Sequence, residues 1–190
     1  MYAGCRRHRS IINGRTESLR TLDQDIARLT AIGPVKDIQL RYCRGLDRLD
    51  WDLVPSCFHP DAVHDLGPFR GTVEQFVAWT SGVLTTFQST THFSGQQRVD
   101  LDGDTAWAEQ NVRAYHRIPA TNNEPAADWI MNLRYVDRMT CRDGDRRISL
   151  RLCACESART DSVVGDSELG AEWRPETRDR NAPSYSRTRS

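Results

Sequence analysis

The stretch from Thr90 to Ile118, TTHFSGQQRVDLDGDTAWAEQNVRAYHRI, decides the fold class. Residues from about 90 to 101 alternate as a strand, Asp102-Gly103-Asp104 is a tight hairpin signal, and Ala106 to Ile118 return as a second strand. The same arrangement repeats downstream. A polar loop, Ala120-Thr121-Asn122-Asn123-Glu124-Pro125, leads into a strand from Trp129 to Met139. Asp143-Gly144-Asp145 turns again, and Ile148 to Ala154 form the last strand. Strands joined by such short turns form an antiparallel meander.

Working upstream, the period changes from two to that of a helix. Leu22-Asp23-Gln24-Asp25-Ile26-Ala27-Arg28-Leu29 reads as a short helix stopped by Gly33-Pro34. A second helix carries Ile38, Tyr42, Leu46 and Leu49 on one face. Asp50 is placed to cap a further short helix through Trp51, Leu53, Val54, Cys57 and Phe58. Ala62-Val63-His64 reads as a short strand and Gly67-Pro68-Phe69-Arg70-Gly71 as a turn. Thr72 or Gly71 then starts a helix that buries Phe76, Trp79, Val83, Leu84 and Phe87. Helices first and a meander afterwards imply an α+β fold with helices on one face of a bent sheet.

The 190 residues divide by texture into three parts. Residues 1–20 are basic and aperiodic and read as a flexible extension; 21–157 hold the periodic domain; 158–190 form a polar tail. The tail's large anchors are Trp173 and Tyr185, suited to draping over the domain or a partner subunit. With 26 basic and 26 acidic residues there is no excess positive charge for phosphate contacts, so a nucleic-acid partner is not expected. No run approaches the roughly 18 apolar residues of a membrane span, and no secretory h-region follows Met1, so no membrane partner and a cytoplasmic location are expected. Six cysteines lack C-x-x-C spacing and read as reduced structural thiols. Lys36 is the sole lysine, which leaves little room for Schiff-base chemistry. The dinucleotide, P-loop and nucleophile-elbow motifs are absent.

Several short blocks then converge. Arg41-Tyr42, Gly45-Leu46-Asp47-Arg48, Cys57-Phe58-His59-Pro60-Asp61-Ala62, Thr91-His92-Phe93, Asp102-Gly103-Asp104, Arg134-Tyr135-Val136-Asp137-Arg138 and Arg142-Asp143-Gly144 resemble SnoaL-like proteins of the nuclear transport factor 2-like superfamily. The resemblance spans roughly residues 21–157. It implies a cone-shaped α+β barrel, with N-terminal helices on a strongly bent, mostly antiparallel sheet. It also implies a homodimer or homotrimer. The fold hosts dehydratases, isomerases, dehydrochlorinases, cyclases and non-catalytic members, so activity does not follow from fold alone.

By resemblance to scytalone dehydratase and hexachlorocyclohexane dehydrochlorinase, His92 would be a general base and Asp47 its orienting partner. Tyr42 and Arg151 would polarise the substrate or leaving group. His64, Trp51, Asn111 and Trp79 are candidate substrate-binding residues. Imidazole is the side chain whose unperturbed pKa lies near neutrality, and a carboxylate beside it fixes its tautomer and stabilises the imidazolium. Such a set performs elimination or enolisation with no cofactor. The expected activity is that of a cofactor-independent lyase or isomerase acting on a hydrophobic small molecule; the alternative is a binding or oligomeric scaffold protein.

Each residue has a second reading. His92 could be a satisfied strand histidine, and Asp47 could form a surface ion pair among Arg44 and Arg48. On an ideal helix Tyr42 and Asp47 stand about 140° apart, so sharing a pocket would need the helix to end or bend near Gly45. Tyr42 could then simply continue the core stripe. Arg151 shares a strand face with Arg147, Ser149 and Cys153, which fits a polar pocket wall or an exposed face. Trp79, Trp107 and Trp129 could stack on a flat ligand or pack the core. A metal set drawn from His59, His64, His92, His116, Asp61 and Asp65 is the rival constellation, but His59-Pro60-Asp61 has the composition of a turn. One departure from the family pattern is Asp145-Arg146-Arg147-Ile148, where relatives carry a tryptophan before the last strand.

Overall fold

The computed structural model describes residues 21–164, 172 and 176–185. The expected N-terminal extension and Trp173 lie outside them. The elements run α1 (Leu22–Asp47), α2 (Leu53–Ser56), β1 (Phe58–Asp65), β2 (Arg70–Thr72), α3 (Val73–Leu84), β3 (Ser89–Asp102), β4 (Thr105–Ile118), β5 (Ala127–Arg142) and β6 (Asp145–Ser162). The helices cover one side of a six-stranded sheet in the order β2-β1-β6-β5-β4-β3. All pairings are antiparallel except β1 with β6. The sheet is curled but open, with edges at β2 and β3.

The two helices expected before Asp50 are one. Thr21 accepts from the Gln24 amide and the Gln24 side chain accepts from the Thr21 amide, a capping box that starts α1. The helix then runs through Gly33 and Pro34 to Asp47. Its first nine residues are exposed, as are Gly33 and Pro34, so the bend and lost hydrogen bond that proline imposes fall on the solvent side. Val35, Ile38, Tyr42 and Leu46 follow at helical spacing and are buried. Gly45 lets α1 approach α2: a Cβ there would stand 2.7 Å from the Val54 side chain.

Thr72 starts α3 with a second capping box through Gln75. The turn at Asp143 (φ 53°) and Gly144 (φ 81°) is left-handed at both residues, the type I′ geometry that matches strand twist. Register shifts between Ser94 and Gln97 in β3, and in β6 opposite Asn132/Leu133 and Arg138/Met139, mark bulges that bend the sheet around the core. Strand β6 continues to Ser162, so the first residues assigned to the polar tail are sheet. Residues 176–185 return to the C-terminal end of α1, where Ala182 is fully buried. Among the described residues no helix is long and apolar enough to cross a membrane.

Candidate active site

Asp47 is the last residue of α1, and its carboxylate gathers three donors from β3. The His92 backbone N–H reaches Oδ2 at 2.9 Å, the His92 ring Nδ1 lies 2.7 Å from Oδ1, and the Thr90 hydroxyl donates to Oδ1 at 3.2 Å. The backbone contact holds one carboxylate oxygen independently of the ring. With Nδ1–H given to Asp47, Nε2 is the ring's remaining acceptor. The His92 side chain is 5% exposed and that of Asp47 20%.

His92 also lines a cavity of about 340 Å³ between α1, α3 and the inner face of the sheet. Phe76, Trp79, Phe87, Trp129 and several aliphatic side chains form most of the wall; polar groups come from Tyr42, Tyr135, Thr80, His92 and His116. Among the described residues no aspartate, glutamate, lysine or arginine lines it. Asp47 touches His92 from the opposite side, in a separate surface hollow with Arg44 and Ser94. The angular separation of Tyr42 and Asp47 on α1 is therefore kept: Tyr42 faces the cavity, and Asp47 reaches it only through the imidazole.

Arg151 is placed differently from a substrate-polarising group. It is fully buried, pairs with Asp137 through two 2.6 Å hydrogen bonds, and does not line the cavity. Its guanidinium lies 4.0 Å from the Tyr42 ring centre and 4.6 Å from that of Tyr135, a cation under two phenols. Burial alone would lower its pKa, but the Asp137 carboxylate raises it, and it stays charged. Asp137 also accepts from Gln39 at 2.9 Å, and Gln39 accepts from Gln97 at 3.0 Å. The expected grouping of Arg151 with Ser149 and against Ile148 fails at a bulge. Met139 pairs with Ile148 but Arg138 with Leu150, so both Ile148 and Arg151 turn inward.

His64, expected to bind substrate, does not line the cavity. It is buried behind Phe76, whose ring centre is 3.9 Å away, and its Nε2 sits 3.4 Å from the Tyr42 hydroxyl. Burial first, then the nearby Arg151, holds its pKa well below the usual imidazole value. Trp79 does line the cavity and stacks on Phe69 at 5.3 Å. Trp51 does not; it walls a separate hollow with Asp50, Arg178 and Tyr185. Asn111 lies on the outer face, bonded to Gln96 and Arg134. On β4 the even positions Ala106, Ala108, Gln110, Val112, Ala114 and His116 are the buried ones, so the inward amide is Gln110.

That parity also identifies His116, a cavity-lining residue not among the expected binding groups. It opposes Thr90 in register, while His92 opposes the small Ala114. The two imidazoles therefore meet edge to face at 5.6 Å. His116 lies between Phe87 and Trp129, hydrogen-bonds the Trp129 backbone, and has its pKa lowered to about 4 by burial and by His92. It is a neutral imidazole at neutral pH. Burial pushes the Cys43 and Cys153 thiols up to about 11, leaving them unreactive.

The imagined metal ligands are dispersed. His59 bonds the Thr140 carbonyl at 2.9 Å, and Asp61 pairs with Arg142 at 2.8 Å. Among the described residues no three His, Cys, Asp or Glu side chains form a metal-sized group.

A bent sheet wrapped on helices around an internal cavity is the architecture of the nuclear transport factor 2-like class. Residues 27–151 match the SnoaL-like domain model, and the chain belongs to that family. No curated protein sequence matches it. Among solved structures it is similar to hexachlorocyclohexane dehydrochlorinase LinA-type3 from Novosphingobium barchaimii LL02, with TM-score 0.65, 15% identity, and 77% of this chain against 99% of that one. A protein assigned by name as a scytalone dehydratase, from Novosphingobium aromaticivorans, gives TM-score 0.61 and 21% identity over 78% and 100%. The Kfla4162 protein of Kribbella flavida gives 0.63 and 18% over 70% and 95%. At these identities the likeness establishes the fold.

Proposed function

We propose that this protein is a cofactor-independent lyase or isomerase of the dehydratase type. The observation that carries the reading is the position of the His92 imidazole, with Nδ1 2.7 Å from Asp47 and its other edge on an apolar cavity. A substrate carrying an acidic C–H beside a carbonyl would present it to His92 Nε2. The imidazole takes the proton, the C–H pair becomes the new π bond, and the β-substituent leaves with its bonding electrons. Asp47 stabilises the imidazolium formed. Tyr42, kept protonated because burial raises its pKa, donates to the carbonyl or leaving group. Arg151 acts from beneath the ring, steadying the phenol without touching the substrate. Trp79 stacks on the ligand. The relatives' names support this reaction class.

The test is a panel of neutral aromatic β-hydroxyketones, followed by the absorbance of the enone product. His92→Ala and Asp47→Asn are expected to lower kcat by about 100-fold or more, the usual scale for general-base loss. Ligand binding with no turnover, or turnover indifferent to His92→Ala, would favour a binding protein of the same fold.

A further inference from the structure

Arg178 comes from the segment that follows the sheet, yet it is bound into the junction where the candidate site is assembled. Its Nε donates to the Asp47 carbonyl at 3.2 Å. Its Nη1 donates to the Leu84 and Phe87 carbonyls at 2.9 and 3.0 Å, and its Nη2 to the Thr90 hydroxyl at 3.0 Å. Four of the five guanidinium N–H groups are thus used. Asp47 and Leu84 end α1 and α3, whose last carbonyls have no partner within the helix and carry partial negative charge. One planar cation satisfies both ends and binds them to the start of β3.

The Thr90 contact links this cap to the site. Thr90 Oγ1 accepts from Arg178 and donates its one proton to Asp47 Oδ1. Accepting from a cation polarises the hydroxyl and strengthens its donation. The same carboxylate oxygen receives His92 Nδ1–H. Neighbouring contacts hold the segment in place. Arg48 pairs with Glu176 and donates to the Thr177 carbonyl at 2.9 Å, and the Tyr185 hydroxyl donates to Asp50 at 3.2 Å. The Tyr185 ring lies under Arg44 at 5.0 Å.

We infer that Arg178 is a positioning residue that sets the orientation of Asp47, and through it the tautomer of His92, by way of Thr90. The inference rests on the proposed pairing of His92 with Asp47 as a base and its orienting partner. Arg178 does not line the cavity and would not touch substrate. Lysine cannot replace it, since an ammonium lacks the planar fork that spans carbonyls of two helices and a hydroxyl.

The experiment is nitrogen NMR of the His92 ring in the full chain, which distinguishes Nδ1–H from Nε2–H and needs no substrate. Wild type is expected to show Nδ1–H, and Asp47→Asn to disturb it. Arg178→Ala and Arg178→Lys are expected to raise the minor tautomer by about three- to tenfold, the scale of one net hydrogen bond. Thr90→Val should match them, Thr90→Ser should retain the wild-type shifts, and Arg178→Ala with Thr90→Val should add little to either. If Arg178→Ala fails to fold, the two Thr90 variants decide alone. A ring that responds to Asp47→Asn but not to Arg178→Ala or Thr90→Val overturns this inference and leaves the pairing standing. A ring indifferent to Asp47→Asn overturns both.

Discussion

Arg151 was read from sequence as a group facing substrate, and its burial beneath Tyr42 changes what its loss should do. Asp137 would keep only its Gln39 hydrogen bond and lose its counterion in the core, so Arg151→Ala is expected to destabilise the fold by about 3–5 kcal/mol. Replacing both partners, as Arg151→Met with Asp137→Leu, should recover most of that in urea unfolding. A single variant as stable as wild type would mean the pair is not buried as described. His116 and His64 make a second prediction. Both have folded pKa values below the usual 6.5, so the unfolded chain protonates first as pH falls. Their contribution is intact above about pH 6.5 and is lost on acidification, for His116 down to about pH 4. His116→Phe, with its ring between Phe87 and Trp129, should flatten the pH dependence of the urea midpoint across that window. An unchanged slope would count against a buried neutral His116. His92 and Asp47 were legible because each sits in a recognisable sequence block. His116 was legible in principle from the even-numbered stripe of β4, whereas Asn111 fell on the wrong side of that stripe.

The elements themselves were legible because period and turn chemistry are local. Asp102-Gly103-Asp104 and Asp143-Gly144-Asp145 turn where their residues dictate, and Thr72 caps α3. Two features depend on non-local packing and did not show. A bulge costs one residue of parity and has no composition of its own, so Arg151 changed faces unannounced. Gly33-Pro34 is a strong stop signal, but α1 continues because Val35, Ile38, Tyr42 and Leu46 are buried just beyond it. That continuation leaves a correctable weakness. Nothing lies within 4 Å of a Cβ added at Gly33, and its φ is not left-handed. Gly33→Ala should therefore stabilise the protein by about 0.5–1 kcal/mol through the lower entropy of the unfolded chain. The urea midpoint checks it, and a fall would show that the helix needs glycine's freedom beside Pro34.

Across the whole molecule, charge and cavity are separated. The chain carries 52 formal charges, 26 of each sign, yet among the described residues no Asp, Glu, Lys or Arg lines the 340 Å³ cavity. Arg151 lies beneath the cavity-lining Tyr42, and Asp137 already neutralises it. A ligand carrying its own charge would be desolvated there without a counterion, whereas a neutral flat molecule meets Trp79, Phe87 and Trp129. The aromatic wall supplies the measurement, because binding alters tryptophan fluorescence. 2-Acetylnaphthalene is expected to bind at least about 30-fold more tightly than 2-naphthoate at pH 7, a gap of about 2 kcal/mol, at the low end for an unpaired buried ion. Trp129→Leu should weaken the ketone while leaving the preference for the neutral ligand intact, since that preference arises from the uncharged lining as a whole. Tighter binding of the carboxylate would mean that Arg151 is exposed on binding, and with it a route for direct contact between the guanidinium and substrate.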